Sequence, residues 1–323
     1  MVKAIGLVSG GLDSTLAVKL VQAQGIEVVG VNFITPFTSS PETAERISKE
    51  LGIEVRAMYA DEDYVELLKK PAHGFGKNMN PCIDCRAYYL KKAKKIADAI
   101  EADFIFTGEV LGQRPMSQQR GSMNAVEKTT GLEGKIVRPM CAKLLPESEA
   151  EKKGLIDREK LLDIEGRTRR RQLELVEKMG IEKYETPAGG CLLTEVVISK
   201  RLRDLLRHKP DVKLNEMWIL KFGRHFRVGE NKIIVGRNKE DNEKLMEFKL
   251  DEDYWLEVQE VGSPIVILQG PKTEDSIETA AKFAAKYSDS EEESVKVDYW
   301  IGEEKKGIEV APFKIDEIER FII

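Results

Sequence analysis

A short string of glycine, serine and aspartate near the start of the chain has the composition of a phosphate-binding loop. It reads SGGLDS at residues 9–14 and directly follows an apolar run at Lys3–Val8. A helix that begins after a buried strand presents unpaired N–H groups and positive dipole potential to an anion. The glycines allow close backbone approach, and the aspartate can act through Mg²⁺. The residues predicted to bind phosphate here are Ser9, Gly10, Gly11, Asp13 and Ser14.

The alternative for this string is a tight strand-to-helix turn in which Ser14 caps the helix. The string matches neither of the two common phosphate-loop patterns, GxxxxGK[ST] and GxGxxG. Its position between a strand and a helix favours the binding site over the bare turn.

Three of the four cysteines are spaced for a metal site. Cys82 and Cys85 form a CxxC pair, and Cys191 follows two glycines much later in the chain. Two thiolates three residues apart bind one metal, and a third thiolate leaves one ligand position open for chemistry. The alternatives are a structural zinc completed by Cys141 or a histidine, a redox pair at Cys82 and Cys85, and buried thiols. We expect Cys141 to be a packed thiol.

The string at residues 9–14 resembles the signature of the PP-loop ATP pyrophosphatase family. In that family the loop binds the pyrophosphate released when ATP adenylates a carbonyl or carboxylate oxygen. The resemblance implies a parallel-sheet α/β domain of the adenine nucleotide alpha hydrolase type, ATP and Mg²⁺ as cofactors, and catalytic roles for Asp13 and Ser14. Family members include amidating synthetases and tRNA thiolation enzymes, so the loop alone does not decide between them.

Two further motifs resemble the tRNA thiolation enzymes. In their non-redox members, a CxxC pair and a later cysteine hold a 4Fe–4S cluster, which implies that Cys82, Cys85 and Cys191 are its ligands. The string TGEVLGQ at residues 107–113, with Ser117-Gln118 and Arg138-Pro139 after it, resembles 4-thiouridine synthase. That resemblance covers residues 1–200 and implies that Gly108, Glu109 and Gln113 lie near the nucleotide. The alternative for Glu109 and Gln113 is a polar loop. We expect no ferredoxin-like or THUMP region before the phosphate loop, which begins at residue 9, and no rhodanese-like domain after the resemblance, so RNA would be captured differently.

The first half of the chain alternates strands and helices at the spacing of βαβ units, which predicts a mainly parallel sheet. Residues 157–179 read as one long charged helix, ended by Gly180. The predicted strands are 3–8, 27–33, 53–59, 103–107 and 135–139, and the other predicted helices are 14–24, 41–51 and 86–102.

The second half has a different character and predicts a smaller α+β domain at residues 208–323. Its predicted strands are 217–228, 232–235, 254–261 and 264–268, and its predicted helices are 238–248 and 273–287. The strings IIVGRN at 233–238 and GSPIV at 262–266, with the helix near 278–288, resemble the NFACT-R RNA-binding domain.

Basic and aromatic residues cluster where this second domain begins. Residues 200–240 contain twelve Lys/Arg and five Asp/Glu, an excess of seven positive charges. Cations bind phosphates irrespective of sequence, and aromatic rings stack on unpaired bases. The predicted RNA contacts are Arg224, Arg227, Arg237 and Asn238. We consider Trp218, His225 and Phe226 as stacking residues, with core strand positions as the alternative for Trp218 and Phe226.

The composition sets limits on these interpretations. The 323 residues are 41% hydrophobic and 33% charged with a net charge of −5, which is typical of globular domains and argues against a wholly basic nucleic-acid coat. No apolar run approaches the roughly 20 residues of a membrane helix, and the N-terminus lacks the pattern of a secretory signal. We therefore expect a cytoplasmic protein with no membrane contact.

The interpretation that unites the motifs is an ATP-dependent tRNA sulfurtransferase that adenylates a uridine carbonyl. Its expected partners are tRNA and a sulfur donor, either free sulfide or a sulfur carrier. One alternative is an ATP-dependent amidating ligase with a structural zinc, and another is a non-catalytic RNA-binding protein with a nucleotide-sensing loop.

Overall fold

A computed structural model describes residues 1–184 and 191–323 of the chain. Internal contacts divide it into two compact units, Met1–Thr194 and Glu195–Ile323. In the described residues, no helix is both long and apolar enough to cross a membrane.

The first unit is built on a five-stranded parallel sheet. The strand order is β3-β2-β1-β4-β5, so β1 lies at the centre and the chain order changes direction there. In such sheets, the crevice at the carboxyl end of the central strand is where ligands bind. The strands are β1 (Lys3–Leu7), β2 (Glu27–Ile34), β3 (Glu54–Tyr59), β4 (Phe104–Thr107) and β5 (Ile136–Val137).

Helices cover both faces of this sheet because side chains alternate along each strand. Ala4 and Phe106 pack on one face with α1, α2 and α7, and Ile5 and Ile105 pack on the other with α4 and α5. The helices are α1 (Leu12–Gln22), α2 (Pro41–Leu51), α3 (Glu62–Lys69), α4 (Cys82–Ala99), α5 (Arg120–Thr130), α6 (Glu149–Lys152) and α7 (Arg170–Lys178). The predicted parallel α/β fold is confirmed.

The long helix predicted at residues 157–179 is wrong. Only Arg158–Lys160, as a 3-10 turn, and α7 are helical within it. The intervening backbone bonds to other segments instead: the Leu162 and Ile164 amides donate to the carbonyls of Pro139 and Met140. The φ of Gly166 is +87°, which ends any helical path there.

The second unit is a six-stranded antiparallel sheet with helices, which confirms the predicted α+β class. The strand order is β11-β10-β8-β9-β7-β6, and α10 packs on one face through Phe283 and its neighbours. The elements are α8 (Val196–His208), β6 (Arg224–Val228), β7 (Asn231–Val235), α9 (Lys239–Phe248), β8 (Tyr254–Val258), β9 (Val266–Gln269), α10 (Glu274–Tyr287), β10 (Val295–Ile301), β11 (Glu304–Val310) and α11 (Ile315–Ile318), with 3-10 turns at Leu192–Thr194, Leu214–Lys221 and Glu319–Phe321.

The predicted strand at residues 217–228 begins too early. Leu214–Lys221 is a 3-10 helix, and the strand starts only at Arg224. Gly223 separates the two with a φ of +73°. The sequence predictions also missed α8 and the β10–β11 hairpin.

Candidate active site

The predicted phosphate loop joins β1 to α1 at the centre of the parallel sheet. Gly10 has a φ of +77°, and a side chain there would meet the guanidinium of Arg46. The Ser14 hydroxyl donates to the Gly11 carbonyl at 2.9 Å and lies 3.3 Å from the Ser9 hydroxyl. Among the described residues, no side chain caps α1, so the first amides of the helix keep their donors available for an anion.

Gly108 brings the segment after β4 into contact with this loop. A Cβ atom at Gly108 would lie 2.7 Å from both the amide nitrogen and the Cα of Ser14. Real Cβ atoms do not approach backbone atoms this closely. Glycine at this position is therefore what allows the TGEVLGQ segment to pack against the phosphate loop.

Two buried glutamines hold the carboxylate of Asp13. The side-chain amide of Gln113 donates to one Asp13 oxygen at 2.5 Å. The amide of Gln172, from α7, lies 3.4 Å from the other oxygen and 3.0 Å from the Gln113 carbonyl oxygen. Gln172 is fully buried. Asp13 is thus fixed from both sides while it faces the cavity described next.

A cavity of about 610 Å³ opens beside the loop. This is within the size range of small-molecule and cofactor sites. The chemistry-bearing residues on its wall are Ser9, Gly11, Asp13, Ser14, Asn32, Asn80, Cys82, Cys85, Arg86, Gly108, Glu109, Arg114, Ser117, Gln118, Arg169 and Cys191. Gln113, which the sequence predicted to lie near the nucleotide, does not line the cavity itself but hydrogen-bonds to Asp13, which does.

Glu109 forms a buried ion-pair cluster at the edge of the cavity. Its carboxylate lies 3.0 Å from Arg138 Nε and 3.2 Å from Arg86 Nε, and it accepts a hydrogen bond from Thr107 at 2.9 Å. Burial opposes ionisation of Glu109, but the two guanidinium groups outweigh it and hold the pKa of this carboxyl below its usual range. Glu109 therefore positions Arg86, which lines the cavity, and has no charge left over for Mg²⁺.

The three predicted cluster cysteines all line this cavity. The amide of Asn80 donates to Cys82 Sγ at 3.2 Å, and the Tyr64 hydroxyl lies 3.7 Å from Cys85 Sγ. Burial raises the pKa of the Cys85 thiol, and charge on Cys191 or Cys82 would raise it further. In the part of the chain that the structure describes, no three acidic, cysteine or histidine side chains form a group that could hold a single metal ion.

Cys141 lies apart from that group of thiols. It is fully buried with Leu111 and Met123, and its thiol donates to the Glu109 carbonyl at 3.3 Å. Burial raises its pKa to about 11. These contacts are those of the packed thiol that the sequence led us to expect.

In the second unit, each of the four predicted RNA-contact residues has an internal partner. Arg227 makes two hydrogen bonds to the Asp204 carboxylate, and Arg237 makes two to Asp241. Asn238 caps α9, and Arg224 lies over the ring of Tyr287.

The three residues considered for base stacking are placed differently. Phe226 and His225 are 1% and 2% exposed, so neither can stack on a base. Trp218 is half-buried, stacks on Phe248 and has Lys221 over its ring.

Sequence reasoning missed Gln172, Arg169, Asn80 and Tyr64. Gln172 and Arg169 lie in a run of charged residues that gave no motif, and Tyr64 lies in α3, a helix that was not predicted. Asn80 stands two residues before the CxxC pair, and its proximity to Cys82 was the one available signal.

Fold and site together define a parallel α/β domain of the PP-loop type followed by an antiparallel-sheet domain. Residues 2–143 match the family model described as "Thiamine biosynthesis protein (ThiI)", and residues 223–322 match the one described as "NFACT protein RNA binding domain". The two matches confirm the resemblances to 4-thiouridine synthase and to the NFACT-R domain.

Curated relatives carry sulfurtransferase names. A "Probable tRNA sulfurtransferase" of Ureaplasma parvum serovar 3 is 30% identical over 130 residues, covering 38% of this chain and 33% of the relative. One of the same name from Thermococcus kodakarensis is 26% identical over 170 residues, covering 50% and 39%. This chain therefore spans between a third and two fifths of the length of these relatives.

Among solved structures, a 4-thiouridine synthetase–RNA complex with bound ATP is similar at a TM-score of 0.38 and 21% identity. The match covers 67% of this chain and 53% of that one.

Proposed function

We propose that this protein is an ATP-dependent tRNA sulfurtransferase, which adenylates a uridine carbonyl oxygen and replaces it with sulfur. The observation that carries the proposal is the shared cavity, whose wall includes both the phosphate loop and the thiols of Cys82, Cys85 and Cys191. An amidating ligase would not need three thiols beside its nucleotide. The sulfurtransferase names of the relatives support the same reaction.

In the first step, the uridine carbonyl oxygen attacks the α-phosphorus of ATP. The bond to the bridging oxygen breaks, and pyrophosphate leaves with the electron pair. The amides at the start of α1 and the hydroxyls of Ser9 and Ser14 stabilise the charge that develops on this leaving group. Asp13, held by Gln113 and Gln172, is the carboxylate placed to bind the Mg²⁺ that accompanies the phosphates.

In the second step, hydrosulfide adds to the activated carbon, and AMP leaves with the original oxygen. A 4Fe–4S cluster held by Cys82, Cys85 and Cys191 would supply an iron without a protein ligand to carry the sulfide. The donor set suits such a cluster, since a cubane takes each thiolate on a different iron and does not require the three sulfurs to meet at one ion. The Asn80 amide and the Tyr64 hydroxyl would donate to the ligand sulfurs.

The second unit would bind the tRNA. Its family match is to an RNA-binding domain, and exposed cations remain on its surface after the internal ion pairs are formed. The sulfur donor is free sulfide or a sulfur carrier protein.

Nucleoside mass spectrometry of tRNA tests this function. Deleting the gene should remove one thiolated nucleoside, and the wild-type gene should restore it. Asp13→Ala should not restore it, whereas Asp98→Ala, an exposed change at the far end of α4, should. A deletion strain with an unchanged set of thiolated nucleosides would refute the proposal.

A further inference from the structure

Arg169 is the N-cap residue of α7 and the first of three consecutive arginines. The two that follow it have acidic partners: Arg170 lies 3.0 Å from Glu174, and Arg171 lies 2.6 Å from Asp163. Arg169 is half-buried on the cavity wall, and within residues 1–184 and 191–323 no carboxylate pairs with it. A partly desolvated guanidinium without a counter-charge is costly, so its natural partner is an anion in the cavity.

The first turn of α7 also contacts the phosphate loop. Gln172, one turn after Arg169, donates its side-chain amide towards both Asp13 and Gln113. The start of α7 therefore contacts the loop at the residue proposed to bind Mg²⁺. Arg169 and the residue that contacts Asp13 therefore lie within one turn of each other.

The charges on the cavity wall indicate that the anion bound by Arg169 is the polyphosphate chain of a nucleotide. The loop offers neutral amides and hydroxyls, and Asp13 adds a negative charge. Of the other arginines on the wall, Arg86 is neutralised by Glu109, and Arg114 is exposed on a different segment. Among the described cavity residues, Arg169 is thus the unpaired cation on the element that holds Asp13.

We propose that Arg169 forms a cationic phosphate subsite that binds the β- and γ-phosphates of ATP and the pyrophosphate they become. This inference rests on the proposed function, and it adds a cationic residue to the nucleotide site that the phosphate loop forms. Arg169 would remain bound to pyrophosphate as its bond to the α-phosphorus breaks. A guanidinium stabilises the negative charge that develops there more strongly than the neutral donors of the loop do alone. Phosphates of the RNA backbone share this chemistry, so the test separates the two sources.

Equilibrium binding of four ligands to the full-length protein tests the subsite. Arg169→Ala should weaken the binding of Mg²⁺-ATP and of Mg²⁺-pyrophosphate at least tenfold, while the dissociation constants of AMP and tRNA stay within twofold of wild type. Arg169→Lys should recover part of the loss because it restores the charge without the planar fork. Arg170→Ala, which removes an exposed neighbour, is the matched control and should change none of the four.

The outcomes separate the two proposals. Unchanged binding of ATP and pyrophosphate by Arg169→Ala would overturn this inference alone. So would a loss of AMP binding equal to the loss of ATP binding, or a loss confined to tRNA. A wild-type protein that binds neither ATP nor pyrophosphate would overturn the proposed function and the subsite with it.

Discussion

At the scale of single residues, the closest fit in the site is between Gly108 and the backbone of Ser14. A methyl group at Gly108 would lie 2.7 Å from two backbone atoms of the phosphate loop. We expect Gly108→Ala to displace the loop, weaken ATP binding at least tenfold and destabilise the protein by about 1–3 kcal/mol. Calorimetric titration with ATP and thermal unfolding measure the two effects.

Gly121 provides the control for this substitution. It lies in α5, and a Cβ atom there would meet nothing within 4 Å. Gly121→Ala should leave ATP binding unchanged and stabilise the helix slightly. Wild-type ATP affinity in Gly108→Ala would show that the loop does not need this contact.

The residues that the sequence revealed at this scale belong to local strings. SGGLDS and CxxC can be recognised in the sequence because their function depends on residues only a few positions apart. Gln172 binds Asp13 across 159 positions of sequence, and only the folded chain brings them together. Glu109 was predicted to lie near the nucleotide, but its pairing with both Arg86 and Arg138 depends on three separate elements.

At the scale of elements, α7 contributes to the site by placing Gln172 against Asp13. Because this residue touches Asp13 and does not line the cavity, we expect it to position the carboxylate without binding substrate. Gln172→Ala should lower kcat about tenfold or more and leave the KM for tRNA unchanged, and Gln172→Glu should be worse because it sets two carboxylates side by side. Steady-state kinetics with thiolated tRNA as the product measure both.

A purely structural role for Gln172 would give a different pattern. Activity would then fall only in proportion to the fraction of unfolded protein, and Gln172→Leu, which keeps the buried volume, would restore it. Gln172→Leu with wild-type kcat would contradict the positioning role.

The β6–β7 pair of the second unit carries a buried lysine. Lys232 is 2% exposed, and its amine has no hydrogen-bond partner among the described residues. Burial is the main cause that lowers its pKa to about 7. Arg227 and Arg201 act in the same direction, and Asp204 and Asp253 oppose it.

This shift predicts how stability depends on pH. Between pH 7 and about 10, the unfolded chain holds a proton on Lys232 that the folded chain lacks, so stability rises with pH. Below pH 7 both states are protonated, and the cost of the buried charge is complete. Lys232→Met should therefore stabilise the second unit by about 1–3 kcal/mol at pH 6.5, with a smaller gain at pH 9.5.

Tryptophan fluorescence can follow this unit selectively during urea unfolding, because all three tryptophans lie in it: Trp218, Trp255 and Trp300. Lys239→Met, at an exposed position in α9, serves as the control and should show no such pH dependence. An equal gain for Lys232→Met at both pH values would show that the charge on Lys232 does not cause the pH dependence.

The predictions of secondary structure succeeded where apolar or amphipathic segments are separated by clear turn residues. The parallel strands of the first unit and α10 are such segments. Residues 157–179 have helical composition, but the amides of Leu162 and Ile164 donate to the carbonyls of Pro139 and Met140, a tertiary contact that no local pattern records. The β10–β11 hairpin was missed because β11 is largely exposed and lacks a clear apolar alternation.

At the scale of the whole molecule, much of the positive charge counted in residues 200–240 is used internally. Arg201 donates to the carbonyls of Leu220 and Gly223, and Lys232 is buried. With Arg227 and Arg237 paired to aspartates, the surface is less basic than the sequence suggests. What remains exposed on α8 is a stripe at helical spacing, formed by Lys200, Arg203 and Arg207.

We expect this α8 stripe to bind phosphates of tRNA. Replacing all three cations by glutamine should weaken tRNA binding and reduce the slope of log affinity against log salt by about 2–3. Binding of ATP should not change, since none of the three lines the cavity. Filter binding across a salt series measures the slope, and an unchanged slope would exclude the stripe as a phosphate contact.

In the proposed mechanism, nucleotide activation and sulfur transfer take place in one cavity, and the stoichiometry of the products tests this most directly. Purified protein, handled without oxygen, is given tRNA, Mg²⁺-ATP and sulfide, and the thiolated nucleoside, AMP and pyrophosphate are quantified together. We expect one AMP and one pyrophosphate for each thiouridine formed, and none of the three with Asp13→Ala. Formation of ADP and phosphate instead, or thiolation that continues in Asp13→Ala, would contradict it.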